Sequence, residues 1–304
     1  MTSPTPNSGL PVKLPLELAL LGLLALLWGS SYLFIKIAVA EIPPVTLIAI
    51  RVSIAALFLV AVLLWRGERL PRDGKTWRML FLQAIFNSIG AWTVLAWGQQ
   101  YVDSGLASVL NSTSPVFVLL ITAFVTRHES VGMLRLIGAG LGITGVILIV
   151  GPDMLRGLGQ QVAGQAAVLL GAVLYAGAAI YGRRFSRLPA TVTAAGTMIW
   201  ASICLVPTSF VLERPWSLAP SINAILATLV LSVFCTGIAL LLYFRLVRTL
   251  GSMGVASQSY LRAGIGVMLG VFFLGETVTP MMAAGICAAL LGVAAINLPV
   301  RPKS

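Results

Sequence analysis

The sequence predicts an all-α polytopic membrane protein, with ten transmembrane helices as two inverted five-helix repeats around a central cavity. Three observations carry that expectation. Of 304 residues, 58% are hydrophobic and only 10% charged, where a soluble domain carries about 25% charged residues. The apolar residues fall into ten runs of about twenty, the length that crosses a hydrocarbon core about 30 Å thick. The second half also repeats the first at a nearly constant offset.

The first run, 16–39, is longer than a signal-peptide core and reads as a retained helix, with Trp28, Ser31, Tyr32 and Ile35 on one face. The second, 45–65, carries Arg51 toward its outer end. The third, 79–99, places Gln83 and Asn87 one turn apart, and Gly90 and Ala91 continue that stripe. The fourth, 105–125, has the richest polar face: Ser108, Asn111 and Ser112, then Pro115, which breaks a helix and frees a carbonyl. Ser130 is placed to cap the fifth run, 134–150, where Gly138-x-x-x-Gly142 lets a neighbour approach closely. The sixth, 162–181, presents Tyr175 with Ala178 and Ala179 behind it, and the seventh is 191–212. In the eighth, 222–246, Ser232 and Thr236 lead to Tyr243. The ninth, 254–273, carries Gln258 and, near its middle, Arg262, followed by Gly266-x-x-x-Gly270. Thr279-Pro280 opens the tenth, 281–298, as an N-cap followed by a proline at the first helical position.

A shift of 147 lays Ala25 to Trp28 on Ala172 to Tyr175, Glu129 on Glu276 and Gly138 on Gly285. It drifts to 149 where Gly105 meets Gly254 and Ser108 meets Ser257. Five spans per half is an odd number, so the halves insert in opposite directions and meet near the bilayer midplane. The expected organisation is a disordered N-terminus (1–15), a first repeat (16–150), a second repeat (151–298) and a short C-terminus (299–304).

Charge sets orientation. One set of loops and both ends hold fifteen Lys and Arg, and the opposite loops only Arg156 and Arg214, so both termini are expected in the cytoplasm. Nucleic acid is not an expected partner of the net charge of +11, because those cations lie in short interhelical loops. Lys36, Arg51 and Arg262 fall inside spans, whereas no Asp or Glu lies well inside one. Lys36 and Arg51 read as structural cations that snorkel or pair with Glu41. Cys204, Cys235 and Cys287 form no metal-ligand spacing, and the single histidine, His128, lies in a loop. No metal or other cofactor is expected. Catalytic templates are missing too: no buried carboxylate pair, no Ser-His-Asp set and no phosphate-cradling loop.

Trp-Gly in the first span with Lys36 behind it, Arg51 early in the second, and Glu129 and Glu276 closing the fourth span of each half resemble the drug/metabolite transporter superfamily. The EamA-like branch fits best, and within it the chain is similar to YddG-type exporters of aromatic amino acids. That resemblance covers nearly the whole chain after Pro15. It implies a multi-pass carrier of a bacterial inner membrane, with a central cavity lined by both halves.

The expected function is export of small metabolites, amino acids first, by alternating access and without obligatory proton coupling. A multidrug or organic-cation exporter is the alternative, and a membrane-embedded lipid-modifying enzyme or receptor the remote one. The expected substrate-binding residues are Trp28, Ser31, Tyr32, Asn87, Asn111, Ser112, Tyr175, Gln258 and Arg262, with Pro115 as a hinge. Arg262 would meet a substrate carboxylate, Asn87, Asn111 and Gln258 its ammonium, and Trp28 and Tyr175 its side chain. The competing reading makes Arg262 a packing residue and the amides interhelical glue. The expected partners are the substrate and the bilayer, and the glycine stripes read as packing within a monomer, with a homodimer as the alternative.

Overall fold

A computed structural model describes residues 14–122, 133–155, 159–185, 187–256 and 258–297. Among them are ten helical spans and no strand. We number the spans α1 (Leu14–Val39), α2 (Pro44–Trp65), α3 (Gly74–Gly98), α4 (Ser104–Ile121) and α5 (Met133–Leu155). The second half contains α6 (Gln160–Gly182), α7 (Ala190–Leu212), α8 (residues 222–256), α9 (Gln258–Leu274) and α10 (Pro280–Asn297). Seven of these are long and apolar enough to cross a membrane, and the apolar parts of α5, α9 and α10 are shorter. Helices are required because lipid offers no partner to a bare peptide group. Apolar residues also cover the outside: Leu57 is 73% exposed, Phe272 78% and Val211 79%. Such a surface belongs in hydrocarbon and not in water.

The packing follows the repeat. Helices α2 and α7, α4 and α9, and α5 and α10 each pack against their own counterpart in the other half. The pair α1–α9 is mirrored by α6–α4, and α1–α8 by α6–α3. This reciprocity is what an inverted repeat requires, since one pseudo-two-fold operation exchanges the halves.

Glycine makes the tightest crossing. A Cβ on Gly145 of α5 would lie 2.5 Å from Ala289 N and 2.7 Å from Gly285 O of α10. Gly138 and Gly142 abut Gly292 of α10, so that stripe is filled within the chain. Gly266 lies against Ser108, and Gly270 against Glu276 and Ser104. Close backbone approach through small residues is how helices associate where lipid removes the hydrophobic drive.

Several boundaries differ from the sequence expectation. Helix α8 continues to Ala256, past the expected end at 246, and α9 is described from Gln258. Gln258 and Arg262 fall in the first two described turns of α9. Helix α5 runs to Leu155, past the expected end at 150. The tenth helix begins as expected at Pro280, with Thr279 Oγ1 accepting from Met282 N at 3.2 Å. The proposed Ser130 cap, Glu129, His128, Arg156, Ser257 and both chain ends lie outside the described residues.

Candidate substrate site

Three helices are interrupted, and the interruptions position the interior polar residues. Helix α4 breaks between Asn111 and Ser114, just before Pro115, which has no N–H to continue the ladder. The hydroxyls of Ser112, Thr113 and Ser114 donate to the carbonyls of Ser108, Leu110 and Asn111 at 2.7, 2.6 and 2.7 Å. The break is thus satisfied locally. Helices α3 and α8 each contain a π-helical segment, Ile85–Ala91 and Val233–Ile238. The shift of 147 residues carries Gly90 onto Gly237, so the two segments occupy equivalent places in the two repeats. Wide turns of this kind are frequent at functional sites.

Five of the nine expected site residues lie at or near this centre, Tyr32, Asn111 and Gln258 buried and Tyr175 and Arg262 half-buried. Asn111 is 1% exposed and donates its Nδ2 to the Tyr32 hydroxyl at 2.7 Å. Tyr32 also accepts at its carbonyl from Gln99 Nε2 at 2.9 Å, which ties α1 to the end of α3. The Tyr175 side chain lies in electrostatic reach of Tyr32, Arg51 and Arg262 and close to Trp92. The Arg262 carbonyl would lie 3.0 Å from a Cβ on Gly29, near the middle of α1. Asn111 Oδ1, Gln258 Oε1 and Arg262 Nε are buried without a hydrogen-bond partner among the described residues. Buried polar atoms are normally paired, so three orphans on α4 and α9 ask for a ligand or water.

The other four make internal contacts. Ser31 donates to Leu27 O at 3.1 Å and Ser112 to Ser108 O, both the i−4 pattern of a helical hydroxyl. Asn87 donates to the neighbouring Ser88 Oγ at 3.1 Å. Trp28 packs on Tyr243 of α8, ring centroids 5.3 Å apart, beside a separate apolar cluster of Leu21, Leu24 and Leu246.

Arg51 corrects the sequence reading most sharply. It neither snorkels nor pairs with Glu41. It is 4% exposed, its Nε donates to Thr236 Oγ1 at 2.9 Å, and its Cζ lies 3.9 Å from the Trp92 ring centroid. Thr236 lies within the π segment of α8, and Trp92 follows that of α3. Arg51 therefore bridges the neighbourhoods of the two π segments, one in each repeat. Glu41 instead accepts from Ser221 N and Ser221 Oγ, both at 2.6 Å, at the start of α8. The Glu41 carboxyl is held below its ordinary value by these Ser221 hydrogen bonds. Lys36 donates to Gln99 O at 2.9 Å and Val102 O at 2.8 Å, closing the end of α3.

The EamA-like transporter family model matches residues 16–151 and again residues 162–298. The chain belongs to the EamA-like transporter family. This EamA-like protein is thus a membrane transporter, and each match covers one five-helix half. It is 29% identical over 269 residues to YedA of Escherichia coli strain K12, named an inner membrane transporter, covering 88% of this chain and 85% of YedA. It is 27% identical over 294 residues to the protein PagO of Salmonella typhimurium, covering 92% and 94% of the two chains. YoaV of Bacillus subtilis, named a transporter, is 25% identical over 220 residues, covering 72% and 75%. A solved crystal structure, 21% identical, matches with a TM-score of 0.66 over 91% of this EamA-like chain and 94% of its own. That likeness is one of fold.

Proposed function

We propose that this transporter exports small metabolites, amino acids first among them, by alternating access of a site between the two repeats. Tyr32, Asn111, Tyr175, Gln258 and Arg262 face the substrate, and the break at Pro115 lets the halves of α4 move separately. The observation that carries the reading is the set of unpartnered polar atoms on α4 and α9, Asn111 Oδ1, Gln258 Oε1 and Arg262 Nε. They offer two acceptors and a donor, the complement of an ammonium beside an anionic or carbonyl group. Among the described residues, no Asp or Glu lies within hydrogen-bonding distance of these atoms. A compensating carboxylate is what an organic-cation exporter needs, which favours amino acids over that alternative.

The test is transport by purified protein in liposomes, with labelled amino acids, nucleosides and organic cations. Amino acids are expected to move down their gradients, and to do so equally with the pH gradient collapsed. No uptake above empty liposomes for any amino acid sinks the substrate assignment, and uptake only under a proton gradient sinks the coupling assignment. Movement of organic cations alone favours the alternative.

A further inference from the structure

Arg51 holds an unspent charge. A guanidinium stays protonated in any protein environment and presents five N–H donors in a fixed fork. One donor, on Nε, is used by Thr236 Oγ1 at 2.9 Å. The Thr236 hydroxyl itself donates to Leu231 O at 2.8 Å, five residues back through the π segment, so its lone pair is turned to Arg51. Trp92, 6% exposed, covers one face of the guanidinium. The four N–H groups on the two Nη atoms have no acceptor among the described residues. The titratable groups in electrostatic reach are the side chains of Tyr175, Cys235 and Tyr32, and none of them is a carboxylate.

A buried cation with no counter-ion is strongly unfavourable unless something neutralises it. Cation–π contact with Trp92 offsets part of this and supplies no negative charge. Burial of Lys36 raises no such problem, because that ammonium is spent on two carbonyls. Arg51 is braced on one face and at one nitrogen, and its Nη fork is left for a planar oxyanion, which it fits by two parallel hydrogen bonds. Thr236 lies in the π segment of the second repeat and Trp92 directly follows that of the first, so relative movement of the halves would alter the fork's surroundings.

Resting on the transport reading above, we infer that Arg51 is the carboxylate-binding residue of the substrate site, with Thr236 and Trp92 as its positioning residues. The sequence alone put that charge on Arg262. Arg51 is the more buried of the two and is held in place by Thr236 and Trp92, whereas Arg262 is half-buried and no such brace holds its guanidinium among the described residues.

The subsite is tested by binding, separately from transport. Thermal shift of the full-length protein in detergent is titrated with benzoate against benzamide, and with phenylalanine against phenylalaninamide. In the wild type each carboxylate is expected to raise the unfolding midpoint at concentrations where its amide does not. Arg51→Lys keeps the charge and loses the fork, and is expected to weaken carboxylate binding at least tenfold. Thr236→Val, which leaves Arg51 in place, is expected to weaken it severalfold and provides the readout if Arg51→Lys does not fold. Arg262→Gln, which also alters the substrate site, is expected to weaken acid and amide by similar factors, so that the ratio between them persists. Equal response to acid and amide in the wild type, wild-type affinity in Thr236→Val, or a preference lost in Arg262→Gln but kept in Arg51→Lys overturns the assignment. Carboxylate binding at Arg51 without any transport in liposomes leaves the subsite standing and removes the transport reading.

Discussion

Glu276, between α9 and α10, holds the start of α4 by accepting from Ser104 N at 2.6 Å and Gly105 N at 2.9 Å. A carboxylate from the second repeat thus caps a helix of the first, 172 residues away in sequence. Glu213 does the same for α2, accepting from Val45 N at 3.0 Å and Thr46 N at 2.6 Å. Glu41 reciprocates from the first repeat at Ser221. All three clamps lie on one membrane side, opposite the Glu17–Arg245 ion pair of 2.8 Å. Negative charge at a helix N-terminus satisfies orphan N–H groups and complements the helix dipole.

Removing the Glu276 cap is therefore expected to loosen α4. Glu276→Ala leaves two N–H groups without their acceptor and should lower stability by about 1–2 kcal/mol. Glu276→Gln keeps one acceptor oxygen and should lose less. The unfolding midpoint in detergent orders the three proteins. An unchanged midpoint for Glu276→Ala means that the clamp contributes nothing.

The α5–α10 crossing should reject side chains at Gly145 and tolerate them at Gly140. On Gly145 even a Cβ meets backbone of α10, which cannot step aside without parting the helices. Gly145→Val is expected to cost about 1–3 kcal/mol or more and to reduce the amount of folded protein. A Cβ at Gly140 meets nothing within 4 Å. Gly140→Ala should be neutral or stabilising by up to about 1 kcal/mol, through helix propensity and a less flexible unfolded chain. Equal behaviour of the two variants in a thermal-unfolding comparison contradicts this packing.

Asp103, which precedes α4 and makes no capping bond from its side chain, gives a pH signature. Burial pushes its carboxyl above the usual aspartate value, the neighbouring Glu276 charge pushes the same way, and Lys36 opposes both. A raised value in the folded state means that the folded form binds the proton more tightly. Stability linked to Asp103 is present below the unfolded value and is lost as pH rises through the raised one. Solvent reaches the group, so the effect is only about a few tenths of a kcal/mol. Asp103→Asn should match or slightly exceed wild-type stability at neutral pH, with the difference closing toward the acid range. A destabilised Asp103→Asn at neutral pH reverses the sign and refutes the account. Glu41 runs the other way: its value is lowered, so its contribution is lost as pH falls.

Much of the architecture was legible in the residues. Span length, apolar composition and the offset of 147 are local or periodic properties, and they fix a ten-helix inverted repeat because lipid leaves the backbone few alternatives. The Thr279-Pro280 start and the glycine stripes were legible for the same reason, since a cap and a close approach depend on residues a few positions apart. The two π segments left a trace in Gly90 and Gly237, a glycine pair at equivalent positions, but a widened turn has no hydropathy signal.

What the tertiary structure decided is where each polar group spends its hydrogen bonds. Ser31 and Ser112 look like cavity residues by period and are bonded to their own helices, while Asn111 and Gln258 keep an unpartnered oxygen. Arg51 reads as an outer-end cation in the sequence. Its burial depends on Trp92, 41 residues on, and on Thr236, 185 residues on in the other repeat. Periodicity reports which face of a helix a residue occupies. Only the packing of the two repeats against each other fixes what that face meets, and so which charge remains free.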